Sequence, residues 1–210
     1  MSNPVILCQV AKELRALADV VEGEARVDGP PWIDRVAEMP VNTNPDQVYM
    51  VQRGWKAWPL RGTEYPVTGL TIHHTMSHSP LATAQYCTKS VTKGGKGYPT
   101  IQYHYWVSQE DGCPVYRLVP DKEMIWHDQT GAFQTTLSIG LAGHLHIAPP
   151  PTEQLESAMI LIRELCGEYN IPKGEVQGHN DRYKGTVCPG WDQARWRDTF
   201  SLLLNSALGN

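Results

Sequence analysis

Hydrophobic residues from about residue 66 onward fall into short runs that predict strands alternating with helices. The apolar runs 70–74 and 137–142 predict two buried strands, with polar residues appearing only as the first one ends. Between them, residues 101–108 alternate apolar and polar. The turn Glu110-Asp111-Gly112 separates this segment from residues 115–119, which predicts a β-hairpin.

Two segments carry the signals of helices. Ser79 followed by Pro80 is a favourable N-cap with proline at the first helical position, and it predicts a helix to about residue 91. A second helix follows Thr152 and ends before Pro172. Apolar residues recur along it at three- and four-residue steps: Leu155, Ala158, Met159, Ile162, Leu165, Cys166 and Tyr169. Cys166 lies on this stripe and is expected to be a core thiol.

These elements together predict an α/β fold with a mixed central β-sheet flanked by helices. A last helix near the C-terminus carries the apolar residues Trp196, Phe200, Leu203, Leu204 and Ala207. At the other end, residues 5–25 show helical spacing of leucine and valine, followed by Gly29-Pro30-Pro31 and an irregular stretch. We therefore predict a helical N-terminal arm over residues 1–50 and one main domain over residues 51–210.

Composition and charge exclude several classes of function. A net charge of -4 without a basic run argues against nucleic acid binding. No apolar run approaches the roughly 20 residues that span a bilayer, so no membrane insertion is expected. The N-terminus lacks a basic region and a cleavage site typical of a signal peptide. An odd number of cysteines without a repeating spacing favours a reducing compartment, so we expect synthesis as a soluble cytoplasmic protein.

Three residues far apart in the chain suggest a metal site. They belong to the run His73-His74, to Gly178-His179, and to Cys188-Pro189. Two imidazoles and a thiolate suit a tetrahedral zinc ion and leave its fourth position open for water. Adjacent residues of a strand face opposite ways, so only one histidine of the first pair can bind the same ion. By spacing alone, four other histidines remain rivals: His104, His127, His144 and His146.

Several motifs, taken in order, resemble one family. They are Thr71-Ile72-His73-His74-Thr75, Tyr103-His104-Tyr105, Ile125-Trp126-His127, Leu137-Ser138-Ile139-Gly140, Gly178-His179-Asn180-Asp181 and Thr186-Val187-Cys188-Pro189-Gly190. Over residues 66–203 this order resembles the type 2 N-acetylmuramoyl-L-alanine amidases, which include phage amidases and the peptidoglycan recognition proteins. The first fifty or so residues lie outside the resemblance.

The resemblance implies hydrolysis of the amide that joins N-acetylmuramic acid to L-alanine in peptidoglycan. It implies one Zn²⁺ ion, with metal ligands His73, His179 and Cys188. It also implies Tyr103 and Thr186 as catalytic residues. Zinc would polarise the amide carbonyl and lower the pKa of its water toward about 7, and these two side chains would donate to the oxyanion. Four further residues are predicted to meet the substrate: His74, facing away from the ligands, Trp126, His127 and Arg182.

The leading hypothesis is a monomeric phage-type endolysin that is made in the cytoplasm and later acts on the bacterial wall. A binding protein that recognises peptidoglycan without cutting it is the first alternative. A muropeptide-recycling amidase is disfavoured, since that branch places a glutamate where Leu141-Ala142-Gly143 stands here. A purely structural zinc protein would need a fourth protein ligand, for which His127 is the candidate.

Overall fold

The computed structural model describes residues 56–190 and Asn205. The predicted N-terminal arm and its boundary at residue 50 lie outside the described residues. Of the predicted C-terminal helix, only Asn205 is described, and it is helical. Among the described residues, no helix combines the length and the apolar character needed to cross a bilayer.

A five-stranded mixed sheet forms the centre of the fold and confirms the predicted fold class. The strands are β1 Gly69–His74, β2 Tyr105–Val107, β3 Val115–Arg117, β4 Thr136–Leu141 and β5 Val176–Gly178. Their order across the sheet is β3-β2-β4-β1-β5. Strand β1 lies between β4 and β5 and pairs in parallel with both. The predicted hairpin is confirmed, since β2 and β3 pair antiparallel.

Helices cover the sheet, as predicted, with one difference in the length of the first helix. They are α1 Pro80–Thr88, α2 Thr152–Tyr169 and the single-turn α3 His179–Arg182. Ser79 caps α1 by accepting a hydrogen bond from the Ala82 backbone N–H. This helix ends three residues before the predicted limit. Its next carbonyls, of Lys89 and Ser90, instead accept hydrogen bonds from the glycine loop that follows.

Short elements account for the other differences. The strand predicted over residues 101–108 is regular only at Tyr105–Val107, although the His104 N–H still donates to the Ser138 carbonyl. Strand β5 and helix α3 were not predicted, because three or four residues are too few to show a period. His179 is the first residue of α3.

The central strands β1 and β4 are buried on both sides, but the two sides differ in chemistry. One side, which we call the apolar face, consists of Leu70, Ile72, Leu137, Ile139 and Leu141, and it packs against α2. Cys166 belongs to this core, which confirms it as a core thiol. Because side chains alternate along a strand, the residues between these form the other side. This polar face consists of Thr71, His73, Thr136, Ser138 and Gly140.

Candidate active site

Three side chains from separate segments meet at the carboxyl end of β1. His73 lies near the end of β1, and His179 directly follows β5, the neighbouring strand. Cys188 follows α3, and its Sγ lies 3.5 Å from His73 Nδ1. The potential ligand atoms of these three buried residues all lie within 4.8 Å of one another. The fold thus brings together the residues named as metal ligands.

Two hydrogen bonds hold Cys188 in position, one at its backbone N–H and one at its thiol. The Thr186 hydroxyl accepts from the Cys188 backbone N–H at 3.1 Å, and the His74 N–H donates to Sγ at 3.4 Å. Burial raises the pKa of the Cys188 thiol to about 12. A divalent cation beside Sγ would act in the opposite direction, since its charge favours the thiolate. The chemistry of this donor therefore fits a metal site.

The two histidines also fit, because both are held neutral. Burial lowers the pKa of His73 well below its usual range, and the neighbouring His127 and His179 lower it further. Burial lowers the pKa of His179 too, with Asp128 opposing the shift. Only a neutral imidazole has the lone pair that a metal requires. Two neutral imidazoles and a thiolate form a donor set typical of zinc.

Above this cluster lies an open cavity of about 980 Å³. Tyr103 and Thr186, the two predicted catalytic residues, both line it. The Tyr103 hydroxyl donates to the His74 carbonyl at 3.4 Å, and its ring lies 5.8 Å from that of His73. Burial raises the pKa of Tyr103, so its hydroxyl keeps its proton near neutral pH. This side chain can therefore donate a hydrogen bond to developing negative charge.

The four residues predicted to meet substrate occupy different environments. Trp126 is 53% exposed at the rim of the cavity, and His74 lines the cavity as well. His127 also lines it but is almost fully buried. Arg182 is absent from the lining, because its guanidinium donates to the carbonyls of Leu70 and Glu175. Its contact with substrate stays a prediction.

The rival histidines are used elsewhere. His127 Nδ1 lies 3.2 Å from His73 Nε2, so within the described part of the chain the metal group comprises three residues and His127 is not a fourth. His104 bonds the Ser138 N–H and the Glu123 carbonyl. His144 and His146 pack beside His74, the histidine that faces away from the ligands.

Two residues of the site were not anticipated. Gln129 Oε1 lies 3.1 Å from His179 Nε2, and an amide oxygen accepts only, which leaves Nδ1 of that ring bare. A single glutamine in a loop carries no sequence signal. Gly140 faces the Tyr103 ring, where an added Cβ would lie 3.0 Å from two ring atoms. A glycine inside a predicted strand was an available signal for close approach.

Comparison with known proteins agrees with this geometry. A sequence model described as N-acetylmuramoyl-L-alanine amidase matches residues 63–191, which is more than half of the chain. The chain belongs to this amidase family. A comparison with curated protein sequences finds no significant match.

Solved structures with the amidase fold resemble the chain over most of their own length. The amidase LysC from Clostridium intestinale URNW is 24% identical with a TM-score of 0.53, covering 70% of this chain and 92% of its own. The Ph2119 endolysin from the Thermus scotoductus bacteriophage is 23% identical with a TM-score of 0.56, covering 74% and 96%. Drosophila PGRP-LB is 20% identical with a TM-score of 0.53, covering 70% and 90%. At these identities the likeness shows the shared fold.

Proposed function

We propose that this chain is a zinc-dependent N-acetylmuramoyl-L-alanine amidase that hydrolyses the amide between N-acetylmuramic acid and L-alanine in peptidoglycan. The observation that carries the proposal is the convergence of His73, His179 and Cys188 at the floor of an open cavity. Three protein ligands and an open side are typical of a catalytic zinc site, whereas a structural site has four protein ligands.

Each residue of the floor has a part in this chemistry. When bound by His73, His179 and Cys188, zinc would polarise the amide carbonyl and lower the pKa of a water molecule. The protonated Tyr103 hydroxyl and Thr186 then stand ready to donate to the oxyanion that forms. The Tyr103 hydroxyl is also our candidate donor of the proton that the leaving amine requires.

The cavity suits a ligand with rings and polar groups. Four aromatic side chains line its sides: Tyr86, Tyr98, Trp126 and Phe133. Lys96 adds a positive charge to the lining. Amphipathic rings pack against sugar faces while their polar edges stay wet. A mutant of Drosophila PGRP-LB, which shares the fold, has been solved in complex with tracheal cytotoxin. We propose a glycan-peptide substrate for this chain on the same grounds.

We further propose the role of a phage-type endolysin that acts as a monomer on the bacterial wall after synthesis in the cytoplasm. Two endolysins stand among the similar structures, which supports this role. A peptidoglycan-binding protein without activity is the second candidate, supported by the likeness to PGRP-SA. Retention of Cys188, Tyr103 and both histidines favours catalysis. A recycling amidase is disfavoured by Ala142, which stands where that branch carries a carboxylate.

Digestion of purified sacculi tests the reaction. We expect the unaltered protein to release new N-terminal L-alanine without new reducing sugar ends. Cys188→Ser and chelator-treated protein should both lose this activity. Activity that survives both treatments would contradict the zinc mechanism. Binding to sacculi without any release would instead support the non-catalytic alternative. Full activity in Tyr103→Phe would remove the hydroxyl from the mechanism.

A further inference from the structure

His127 is a buried imidazole for which the proposed reaction has no use, and its two ring nitrogens are both engaged. Its side chain is fully buried. Nδ1 lies 3.2 Å from His73 Nε2, and Nε2 lies 3.1 Å from the Thr136 hydroxyl oxygen. That hydroxyl donates to the Ala132 carbonyl at 2.9 Å. A continuous chain of hydrogen bonds thus runs from a metal ligand to the backbone.

The last group of this chain sets the direction of every bond in it. A carbonyl oxygen can only accept, so the single hydroxyl hydrogen of Thr136 points to Ala132. The Thr136 oxygen must then accept from His127 Nε2. The Thr71 hydroxyl also donates to it at 3.3 Å, which fills its acceptor positions. Thr136 is therefore an acceptor toward the imidazole.

The same reasoning passes through His127 to the metal ligand. Burial disfavours the charged form, so each ring is neutral and has one N–H and one bare nitrogen. With its hydrogen on Nε2, His127 accepts at Nδ1 from His73 Nε2. His73 is then left with a bare Nδ1. This is the atom that lies 3.5 Å from Cys188 Sγ, at the metal cluster.

We propose that Thr136 and His127 are positioning residues that hold His73 in the one tautomer able to bind the metal through Nδ1. The proposal rests on the proposed function, since zinc is the ion expected there. It assigns a purpose to the polar face of β1 and β4. Thr136 lies on that face, and its hydrogen bonds reach His73 only through the second imidazole.

Asp128 is a competing acceptor that could reverse the direction of these hydrogen bonds. Its Oδ2 lies 3.5 Å from His127 Nδ1, while its Oδ1 accepts from the Thr130 N–H and hydroxyl. A carboxylate that drew the His127 hydrogen to Nδ1 would make His73 Nε2 an acceptor. The hydrogen of His73 would then sit on Nδ1 and block metal binding. The shorter contact to His73 and the fixed Thr136 hydroxyl favour the first arrangement.

Zinc affinity separates the two arrangements. We would measure it by competition with a chelator for the unaltered protein and three variants: Thr136→Val, Thr136→Ser and Asp128→Asn. Thr136→Val should bind zinc about 10- to 100-fold more weakly, the usual effect of losing an outer-shell partner. Thr136→Ser, which restores the hydroxyl, should recover most of the affinity. Unchanged affinity in Thr136→Val, or a comparable loss only in Asp128→Asn, would overturn the proposal.

A second measurement uses the unaltered protein and needs no zinc. Nitrogen-15 spectra of the imidazoles in the zinc-free protein report which ring nitrogen carries the hydrogen. We expect the Nε2–H form for both His73 and His127. An Nδ1–H form at His127 would overturn the proposal even if the enzyme binds zinc and cuts peptidoglycan. Failure of the unaltered protein to bind zinc would instead contradict the proposed function, whatever the tautomers.

Discussion

The two faces of the β1–β4 pair are both buried but have different roles: one forms the core, and the other carries residues of the candidate site. The apolar face presents Leu70, Ile72, Leu137 and Ile139 to α2. The polar face carries Thr71, His73, Thr136 and Ser138 on the opposite side of the two strands. Removing apolar area from water stabilises the fold through the first face. Burial of the second face is tolerated because its polar groups are hydrogen-bonded.

This difference shows how one pair of strands can contribute both to the hydrophobic core and to the candidate active site. On the polar face, Ser138 donates from its hydroxyl to the Gln102 carbonyl and from its N–H to His104 Nδ1. These bonds hold the strands without adding apolar contact. Mutations should therefore separate the faces: changes on the apolar face alter stability, and changes on the polar face alter the site.

The largest effect on stability is expected on the apolar face. Ile139 is fully buried, so Ile139→Ala should lower the free energy of unfolding by about 2–5 kcal/mol. Urea denaturation would measure this loss. Zinc affinity of the molecules that remain folded should change little. A variant that stays equally stable but loses zinc affinity would contradict the division between the faces.

Acid should lower the stability of the fold through His104, whose Nδ1 accepts a hydrogen bond from the N–H of Ser138 on the polar face. Burial lowers the pKa of His104 to about 3, below its usual 6.5, so the folded state disfavours the charged ring. The unfolded chain binds a proton first as pH falls below 6.5, and stability is lost from there toward about pH 3. Between pH 6.5 and 4.5 the loss from this group is about 2 kcal/mol.

His104→Gln provides the comparison for the acid effect, because glutamine does not titrate. Urea denaturation at several pH values should show a shallower dependence in this variant, by the contribution of one proton. Identical slopes in the two proteins would show that His104 is not held neutral by burial.

Gly140 tests how closely the polar face approaches Tyr103. Gly140→Ala places a Cβ 2.8 Å from Thr75 Cγ2 and 3.0 Å from the Tyr103 ring. Overpacking of this kind costs about 1–3 kcal/mol, and it should displace the ring and slow hydrolysis. Gly167→Ala is the matched control. It lies on α2, where the added Cβ would have no atom within 4 Å apart from its chain neighbours and the backbone of its own helix, and it should stabilise the protein by about 0.5–1 kcal/mol.

The smallest effect is expected for Thr71→Val, which removes one long hydrogen bond to Thr136 while keeping the shape. Thermal or urea unfolding should show a loss of about 0.5–1.5 kcal/mol. Zinc affinity should stay near that of the unaltered protein, because Thr136 keeps its bonds to Ala132 and His127. A loss of affinity as large as that of Thr136→Val would mean that the polar face acts as a unit.

Sequence patterns predicted the long elements and missed what depends on packing between segments. The strands at 70–74 and 137–142 and helix α2 have enough residues to show their character. Strand β5 and helix α3 do not. The run 70–74 also looked uniformly buried, so its division into two faces could not be seen until β4 supplied the register.

The site shows the same boundary between what the sequence shows and what folding adds. Motif order named His73, His179 and Cys188, and the fold brings them together. The substrate contact of His127 stays a prediction, and the sequence did not indicate that its ring also lies within hydrogen-bond distance of His73. The hydrogen bonds of these buried imidazoles depend on partners from other segments, such as Thr136 for His127 and Gln129 for His179. No local sequence pattern indicates such contacts.

The cluster at the cavity floor also closes a long loop, because His73 and Cys188 are 115 residues apart in sequence. An ion held by both would join the two ends of this loop in the folded state, and binding only the native state would raise the stability of the whole fold. Strand β5, which already pairs with β1, and the turn after α3 would be held at β1 more firmly. The candidate metal site would then also stabilise the fold of the domain.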